Sequence, residues 1–189
     1  MSARPLGPAD YARACVDRFV RRRTGPPAPA DPYYGTRAAC FVSLKKQGAL
    51  RGCIGTLEPA EADLAHEIAR NAYSAAFHDP RFAPVGEEEL DAVTCSVDVL
   101  SCSEPCQVAD LEPRVYGVIV SAGGRRGVLL PDLTGVDDVA TQLRIALQKA
   151  GIGRDERFFV ERFTVTRFHE GDPAVGAPGT AGVGGAADE

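Results

Sequence analysis

The chain has 189 residues, a net charge of −5 and 44% hydrophobic residues. This length and apolar content suit one compact domain, or one domain with a small lobe, and permit a sizeable core. The acidic balance argues against free nucleic acid as the main partner, because phosphate binding requires a basic face. No apolar run approaches the roughly 20 residues that span a bilayer. Residues 1–10 lack the apolar core of a signal peptide, so we expect a soluble cytoplasmic protein.

The N-terminal half combines helical and strand patterns. Apolar residues three and four positions apart predict a helix over residues 8–23, and the basic run at 21–23 suits the negative end of the helix dipole. A proline-rich connection leads to two alternating segments, 37–44 and 49–57, which predict a β-hairpin. A second helix is predicted over 61–77. Its buried side is rich in alanine, so we expect it to lie close to the sheet.

The C-terminal half is mostly strand. Alternation predicts a half-buried strand over 91–101 and a hairpin formed by 115–121 and 126–130. A third helix is predicted over 136–150, with Gly151 as its C-terminal cap. Charged residues are spread through 158–168, which is typical of a last strand at a sheet edge.

The order of these elements indicates the fold class. Hairpins between the helices favour an α+β fold, with a mainly antiparallel sheet and packed helices, over a parallel sheet. We assign this domain to residues 1–170. Residues 171–189 are rich in Gly and Ala and almost without large apolar side chains, so we expect a disordered tail.

The segment Arg51-Gly52-Cys53-Ile54-Gly55 is the strongest functional signal. Glycine within a strand is usually found where a ligand, a bulge or another strand comes close to the backbone. Alternation puts Arg51, Cys53 and Gly55 on one face, where the cation could assist the thiol as a nucleophile. Cys53 is therefore a candidate nucleophile or ligand-contacting group. The alternative is a small residue packed beneath a helix, and the sequence places none of the three histidines against it as a base.

The loop Asp79-Pro80-Arg81-Phe82 is the second candidate. Its Asp and Arg side chains can contact an acidic ligand, or can pair with each other to hold a structural turn. The glycine-rich segment 121–127 is better interpreted as a hairpin turn than as an anion cradle, because it lacks the sequence of a phosphate loop. Cys102 and Cys106 are weak evidence for a metal site, so we predict neither a metal nor a cofactor.

Several segments together resemble the AMMECR domain family. The resemblance covers roughly residues 8–170, and Arg-Gly-Cys-Ile-Gly is its most specific part. The matching segments are Cys40-Phe41-Val42-Ser43-Leu44, Leu50-Arg51-Gly52-Cys53-Ile54-Gly55-Thr56, Ala75-Ala76-Phe77, Asp79-Pro80-Arg81-Phe82, Val97-Asp98-Val99-Leu100-Ser101, Gly117-Val118-Ile119-Val120 and Gly127-Val128-Leu129-Leu130-Pro131.

The resemblance implies an α+β fold with a larger and a smaller subdomain, and a cleft lined by the Arg-Gly-Cys-Ile-Gly motif. It also implies membership of the AmmeMemoRadiSam system, with a Memo-like, dioxygenase-fold protein and a radical S-adenosylmethionine protein as partners. The family carries no settled activity that would transfer to this chain. Its clustered polar and reactive residues nevertheless point to an enzyme.

Three functional hypotheses follow. The first is an enzyme, or an enzyme component, that acts on a small molecule. In that hypothesis Cys53 and Asp79 are catalytic, with Asp79 orienting the substrate or accepting a proton. The substrate contacts are Arg51, Gly52, Gly55, Thr56 and Arg81, with the two arginines binding an anionic group. The second hypothesis is a non-catalytic binding or scaffold module that serves a partner enzyme. The third, an RNA-binding or regulatory protein, has little support from the acidic composition.

Overall fold

The computed structural model describes residues 6–153 and 155–173. Most of the expected tail, residues 174–189, lies outside them. The chain divides into two compact units: the first runs up to Val97 and resumes at Phe168, and the second comprises Asp98–Arg167. Among the described residues, no helix is long and apolar enough to cross a membrane.

The elements form an α+β fold with antiparallel pairing, as the sequence predicts. The helices are α1 (Pro8–Val20), α2 (Leu64–Phe77) and α3 (Val139–Ala150). The strands are β1 (Cys40–Lys46), β2 (Ala49–Gly55), β3 (Val93–Leu100), β4 (Glu104–Pro105), β5 (Gly117–Ala122), β6 (Arg125–Leu129), β7 (Phe159–Phe163) and β8 (Val165–His169). One four-stranded sheet has the order β2-β1-β3-β8, and the other has the order β4-β7-β5-β6.

In the first unit, α1 and α2 pack together, and α2 covers the hairpin of β1 and β2. Alternate residues of β1 are fully buried at Cys40, Val42 and Leu44, as expected for a strand with one covered face. The N-cap of α2 is Asp63, whose carboxylate accepts the N–H of His66 at 2.9 Å. The helix therefore begins three residues later than the sequence pattern indicates.

In the second unit, α3 packs against β5 and β6. Its apolar side meets a core that includes Val118, Val120 and Leu129. Asp138 caps the N-terminus by accepting the N–H of Thr141 at 2.8 Å. Gly151 ends the helix in the left-handed conformation, with φ of 63°, so the predicted C-cap is confirmed.

The expectation of one last edge strand over residues 158–168 is wrong. The segment forms two strands that belong to different sheets, and β7 lies between β4 and β5 rather than at an edge. The break falls at Thr164, whose N–H donates to the Ser101 hydroxyl at 3.0 Å and whose carbonyl accepts the Ser101 N–H at 3.0 Å. These two bonds take the place of strand pairing at Thr164, where the chain passes from β7 to β8. Of these two strands, β8 is the one that occupies a sheet edge, and it carries the exposed Arg167.

Candidate functional site

The β1–β2 hairpin fixes the position of the Arg-Gly-Cys-Ile-Gly segment. Cys53 lies opposite Ser43 and Gly52 lies opposite Leu44, and the register shifts between Leu44 and Lys45. This bulge leaves Arg51 as the extra residue on β2, with no partner residue opposite it. Because Leu44 is buried beneath α2, the pleat places Cys53 and Ser43 on the face away from that helix.

Neighbouring protein atoms leave no room for a side chain at Gly52 or at Gly55. A β-carbon built on Gly52 would lie 2.3 Å from the carbonyl oxygen of Ala75 in α2. One built on Gly55 would meet the ring of Phe41 and would lie 2.7 Å from the carbonyl oxygen of Cys40. The close approach that the glycines indicate is therefore that of a helix and an aromatic ring. The alanine-rich side of α2 permits this contact, as the sequence predicts.

Cys53 is held at its backbone and at its sulfur. Its N–H donates to Oδ2 of Asp79 at 2.8 Å, and its Sγ accepts the hydroxyl of Ser43 at 3.2 Å. The residue is half-buried. Because β2 is an outer strand of its sheet, the bond to Asp79 satisfies a donor that no neighbouring strand pairs.

Asp79 joins the predicted loop to the predicted strand. Its carboxylate is 2% exposed and accepts Nε of Arg81 at 2.9 Å and Nη2 at 2.7 Å. It also accepts the backbone N–H of Arg81 at 3.1 Å. The Arg81 guanidinium, helped by the N–H of Cys53, holds the pKa of this carboxyl well below its usual range. Asp79 therefore stays ionised at neutral pH, which favours an orienting role over proton transfer.

Arg81 contacts the backbone of the thiol-bearing residue. Its Nη2 lies 3.4 Å from the carbonyl oxygen of Cys53, and its side chain is 55% exposed although it is paired with Asp79. Within the described part of the chain, its Nη1 has no hydrogen-bond partner. The ring of Phe82 lies 5.5 Å from the guanidinium carbon. Arg81 thus presents a fixed and partly exposed positive charge.

Arg51 lies 5.9 Å from the same Phe82 ring but has a different carboxylate as its partner. Its guanidinium binds the carboxylate of Glu89 through Nε at 3.0 Å and Nη2 at 2.8 Å, and donates from Nη1 to the carbonyl of Ala83 at 2.9 Å. Lys46 also donates to Glu89, at 2.8 Å. Arg51, and after it Lys46, hold the pKa of Glu89 well below its usual range. The charge of Arg51 is therefore balanced inside the protein, and its side chain is only 13% exposed.

Thr56 binds Glu67, a fully buried acid that sequence reasoning missed. Its hydroxyl donates to Glu67, whose other oxygen accepts the N–H groups of Ala60 and Glu61 at 2.8 and 2.7 Å. Asn71, one turn along α2, donates to the carbonyl of Cys40 at 2.9 Å. Glu67 and Asn71 lie within the apolar stripe of α2. The presence of polar residues in a stripe of α2 that is predicted to be buried was the sequence signal that could have identified them.

The histidines have other partners. Nδ1 of His66 pairs with Asp63 at 2.7 Å, and the ring of His78 meets Tyr73 edge-on at 5.2 Å. His169 lies on β8, where its backbone N–H donates to the Asp172 carboxylate at 2.7 Å. Sequence reasoning also missed Glu89, which lies in a short 3-10 helix, Glu87–Ala92.

A model of the AMMECR1 family matches residues 9–171. The chain belongs to this family. The recognition made from the sequence is therefore confirmed, and the AMMECR1 match includes Cys53, Asp79 and Arg81.

Other AMMECR1-like proteins come from bacteria and archaea. A Thermotoga maritima protein is 53% identical over 135 residues, which cover 70% of this chain and 78% of that protein. A Clostridium acetobutylicum protein is 52% identical over 130 residues, covering 69% of this chain but only 28% of that longer protein. The solved structure of an uncharacterised protein from Pyrococcus horikoshii has a TM-score of 0.75 and 29% identity. It covers 88% of this chain and 91% of its own, so the fold is the same.

Proposed function

We propose that the protein is a small-molecule enzyme, or a component of one, whose ligand contacts Cys53 and Arg81. The observation that carries the proposal is the double attachment of Asp79. One buried carboxylate binds the N–H of Cys53 and the guanidinium of Arg81, and so fixes a thiol-bearing residue beside a partly exposed cation. Fixed groups of this kind are what ligand binding requires, since they lose little freedom when the ligand arrives.

Each residue has a distinct role in this proposal. Cys53 contacts the ligand through its thiol, which the Ser43 hydroxyl orients. Arg81 binds an anionic group through Nη1, because its other donors already face Asp79 and Cys53. Asp79 orients both. Gly55, half-buried at the end of β2, contributes its backbone to the contact surface, because the ring of Phe41 occupies the place of a side chain there.

The remaining predicted contacts act on the backbone in this proposal. Gly52 lets α2 approach β2, and Thr56 fixes the chain beyond β2 through Glu67. Arg51 anchors the bulge of β2 to Glu89 and to the carbonyls of residues 83 and 84. These residues hold Cys53 in position, and the ligand contacts are left to Cys53, Gly55 and Arg81.

A pair of alkylating reagents tests the proposal directly. Iodoacetate and iodoacetamide react with thiols in the same way, but only iodoacetate carries a negative charge. If Arg81 binds an anionic group beside Cys53, the rate ratio of iodoacetate to iodoacetamide will be higher at Cys53 than at the exposed Cys102. Mass spectrometry resolves the two sites in one sample.

Two variants complete this experiment. Arg81→Gln should lower the ratio at Cys53 to that of Cys102. Arg114→Gln, which removes an exposed arginine paired with Asp137, should leave it unchanged. Equal ratios at Cys53 and Cys102 in the wild-type protein would contradict an anion site at Cys53. The buried Cys15, whose pKa burial raises to about 12, serves as the unreactive reference.

A second candidate function is a non-catalytic module that binds a partner enzyme. It is favoured by the Clostridium acetobutylicum relative, in which the matching region is only 28% of a longer chain. The proposed partners are a Memo-like protein and a radical S-adenosylmethionine protein, in the cytoplasm. Size-exclusion chromatography of mixtures of the purified proteins tests this. A complex that Arg81→Gln abolishes, with no turnover by this chain alone, would favour the binding module, whereas separate elution would count against it.

A further inference from the structure

A pocket of about 430 Å³ lies at the C-terminal end of α1, within the first unit. Phe19 and Phe77 contribute its aromatic side, and Arg21, Arg22 and Glu87 contribute its charged side. The volume lies in the range of about 300–1,000 Å³ that is typical of small-molecule sites. Its lining combines polar and apolar surface. None of these residues belongs to the Cys53 cluster.

Arg22 has an unusual backbone conformation for its residue type. The last turn of α1 is closed by bonds from the N–H of Arg22 to the carbonyl of Phe19 at 2.9 Å, and from Arg23 to Arg18 at 2.8 Å. This arrangement puts Arg22 in the left-handed region, with φ of 56°. Glycine is the usual residue there, because a β-carbon crowds the backbone. A side chain kept at such a position suggests a use for that side chain.

The charges around the pocket also favour an anionic ligand. Two arginines, Arg21 and Arg22, line the pocket against one carboxylate, Glu87, so its lining has a positive balance in a chain whose net charge is −5. Arg21 pairs with Glu87 at 3.1 Å, and both side chains are exposed. In the part of the chain that the structure describes, the side chain of Arg22 has neither a hydrogen bond nor an ion pair. Guanidinium groups bind phosphate through two parallel hydrogen bonds.

The aromatic side of the pocket is held rigid by its neighbours. The ring of Phe19 meets Tyr73 edge-on at 5.4 Å, and Tyr73 packs on Phe77 at 5.0 Å. A fixed ring offers a planar ligand a stacking surface at low entropic cost. A nucleotide combines a planar base with a phosphate. We infer that this pocket binds a mononucleotide, with the phosphate on Arg22 and Arg21 and the base against Phe19 and Phe77.

Titration calorimetry with the full chain and AMP tests this inference. Adenosine, ribose 5-phosphate and inorganic phosphate serve as the comparison ligands. Arg22→Gly is the decisive variant, because glycine suits the left-handed conformation and the fold should keep its thermal stability. Its affinity for AMP should fall at least about tenfold, since a charge-assisted contact is lost. Arg23→Ala removes an equal charge beside the pocket and should bind AMP almost as the wild type does.

Several results would overturn the inference. The inference fails if the wild-type protein does not bind AMP at millimolar concentration. It also fails if Arg22→Gly binds AMP with the same affinity as the wild type. An equal loss in Arg22→Gly and Arg23→Ala would mean general attraction to a basic surface rather than a pocket. If ribose 5-phosphate bound as tightly as AMP, the base would have no contact with Phe19 and Phe77. None of these results bears on the proposal for Cys53 and Arg81.

Discussion

Replacing Gly52 by alanine tests whether the contact between α2 and β2 determines the position of the Cys53 segment. The backbone of Gly52 is outside the left-handed region, so alanine meets no conformational barrier there. The added β-carbon would lie 2.3 Å from the Ala75 carbonyl oxygen and 3.3 Å from its carbonyl carbon. Both are backbone atoms, so no flexible side chain can move aside. The helix and the strand must separate by about 0.7 Å to raise the shorter distance from 2.3 to 3.0 Å.

Overpacking of this kind lowers the free energy of unfolding by about 1–3 kcal/mol. In a protein of this size that corresponds to a Tm lower by about 2–12 °C, which circular dichroism measures. Gly35→Ala is the matched control, because Gly35 is exposed and a β-carbon there would meet nothing within 4 Å. If Gly52→Ala and Gly35→Ala have the same Tm, the close approach of α2 does not constrain β2, and the reasoning fails.

Three further predictions concern the acidic residues. Folding lowers the pKa values of Asp79 and Glu89, so both carboxylates stabilise the folded protein above about pH 4. This stabilisation is lost as the pH falls through their folded-state pKa values. Urea unfolding at a series of pH values measures the loss. Asp79→Asn removes the charge that pairs with Arg81, so it should lower the urea midpoint at neutral pH and flatten this acid-side loss; an unchanged pH profile would refute the assignment. Thr56→Val removes a donor from the buried Glu67 and should destabilise the protein by about 1–3 kcal/mol, and a Tm equal to wild type would contradict it.

The elements that the sequence predicts well are those with a strong local pattern. The alternation of β1 and the apolar stripe of α2 each specify one buried face, so their class and approximate bounds follow from residue spacing alone. The segment 158–168 shows the limit. Its pattern is continuous, and the break at Thr164 depends on hydrogen bonds to Ser101, more than 60 residues away along the chain.

The part of the candidate site that depends on residues close together in the sequence was also predictable. The loop of Asp79 and Arg81 is a local pair, and the two residues do form an ion pair. That Asp79 also binds Cys53, and that Arg51 binds Glu89, depends on contacts between residues 26 and 38 positions apart. Spacing carries no information about such pairs, so the sequence suggested Arg51 as the cation beside the thiol, whereas Arg51 pairs with Glu89 and Arg81 contacts the carbonyl of Cys53.

The position of β2 at the outside of its sheet has a consequence for how the protein meets other copies of itself. An outer strand offers unpaired N–H and C=O groups to any extended chain that approaches it. Asp79 occupies one of these donors, and the Arg81 guanidinium lies against the adjoining carbonyl of Cys53. The loop thereby places a buried negative charge and an exposed positive charge where a foreign strand would have to add. The same two side chains that bind the backbone of Cys53 thus also protect this edge from self-association.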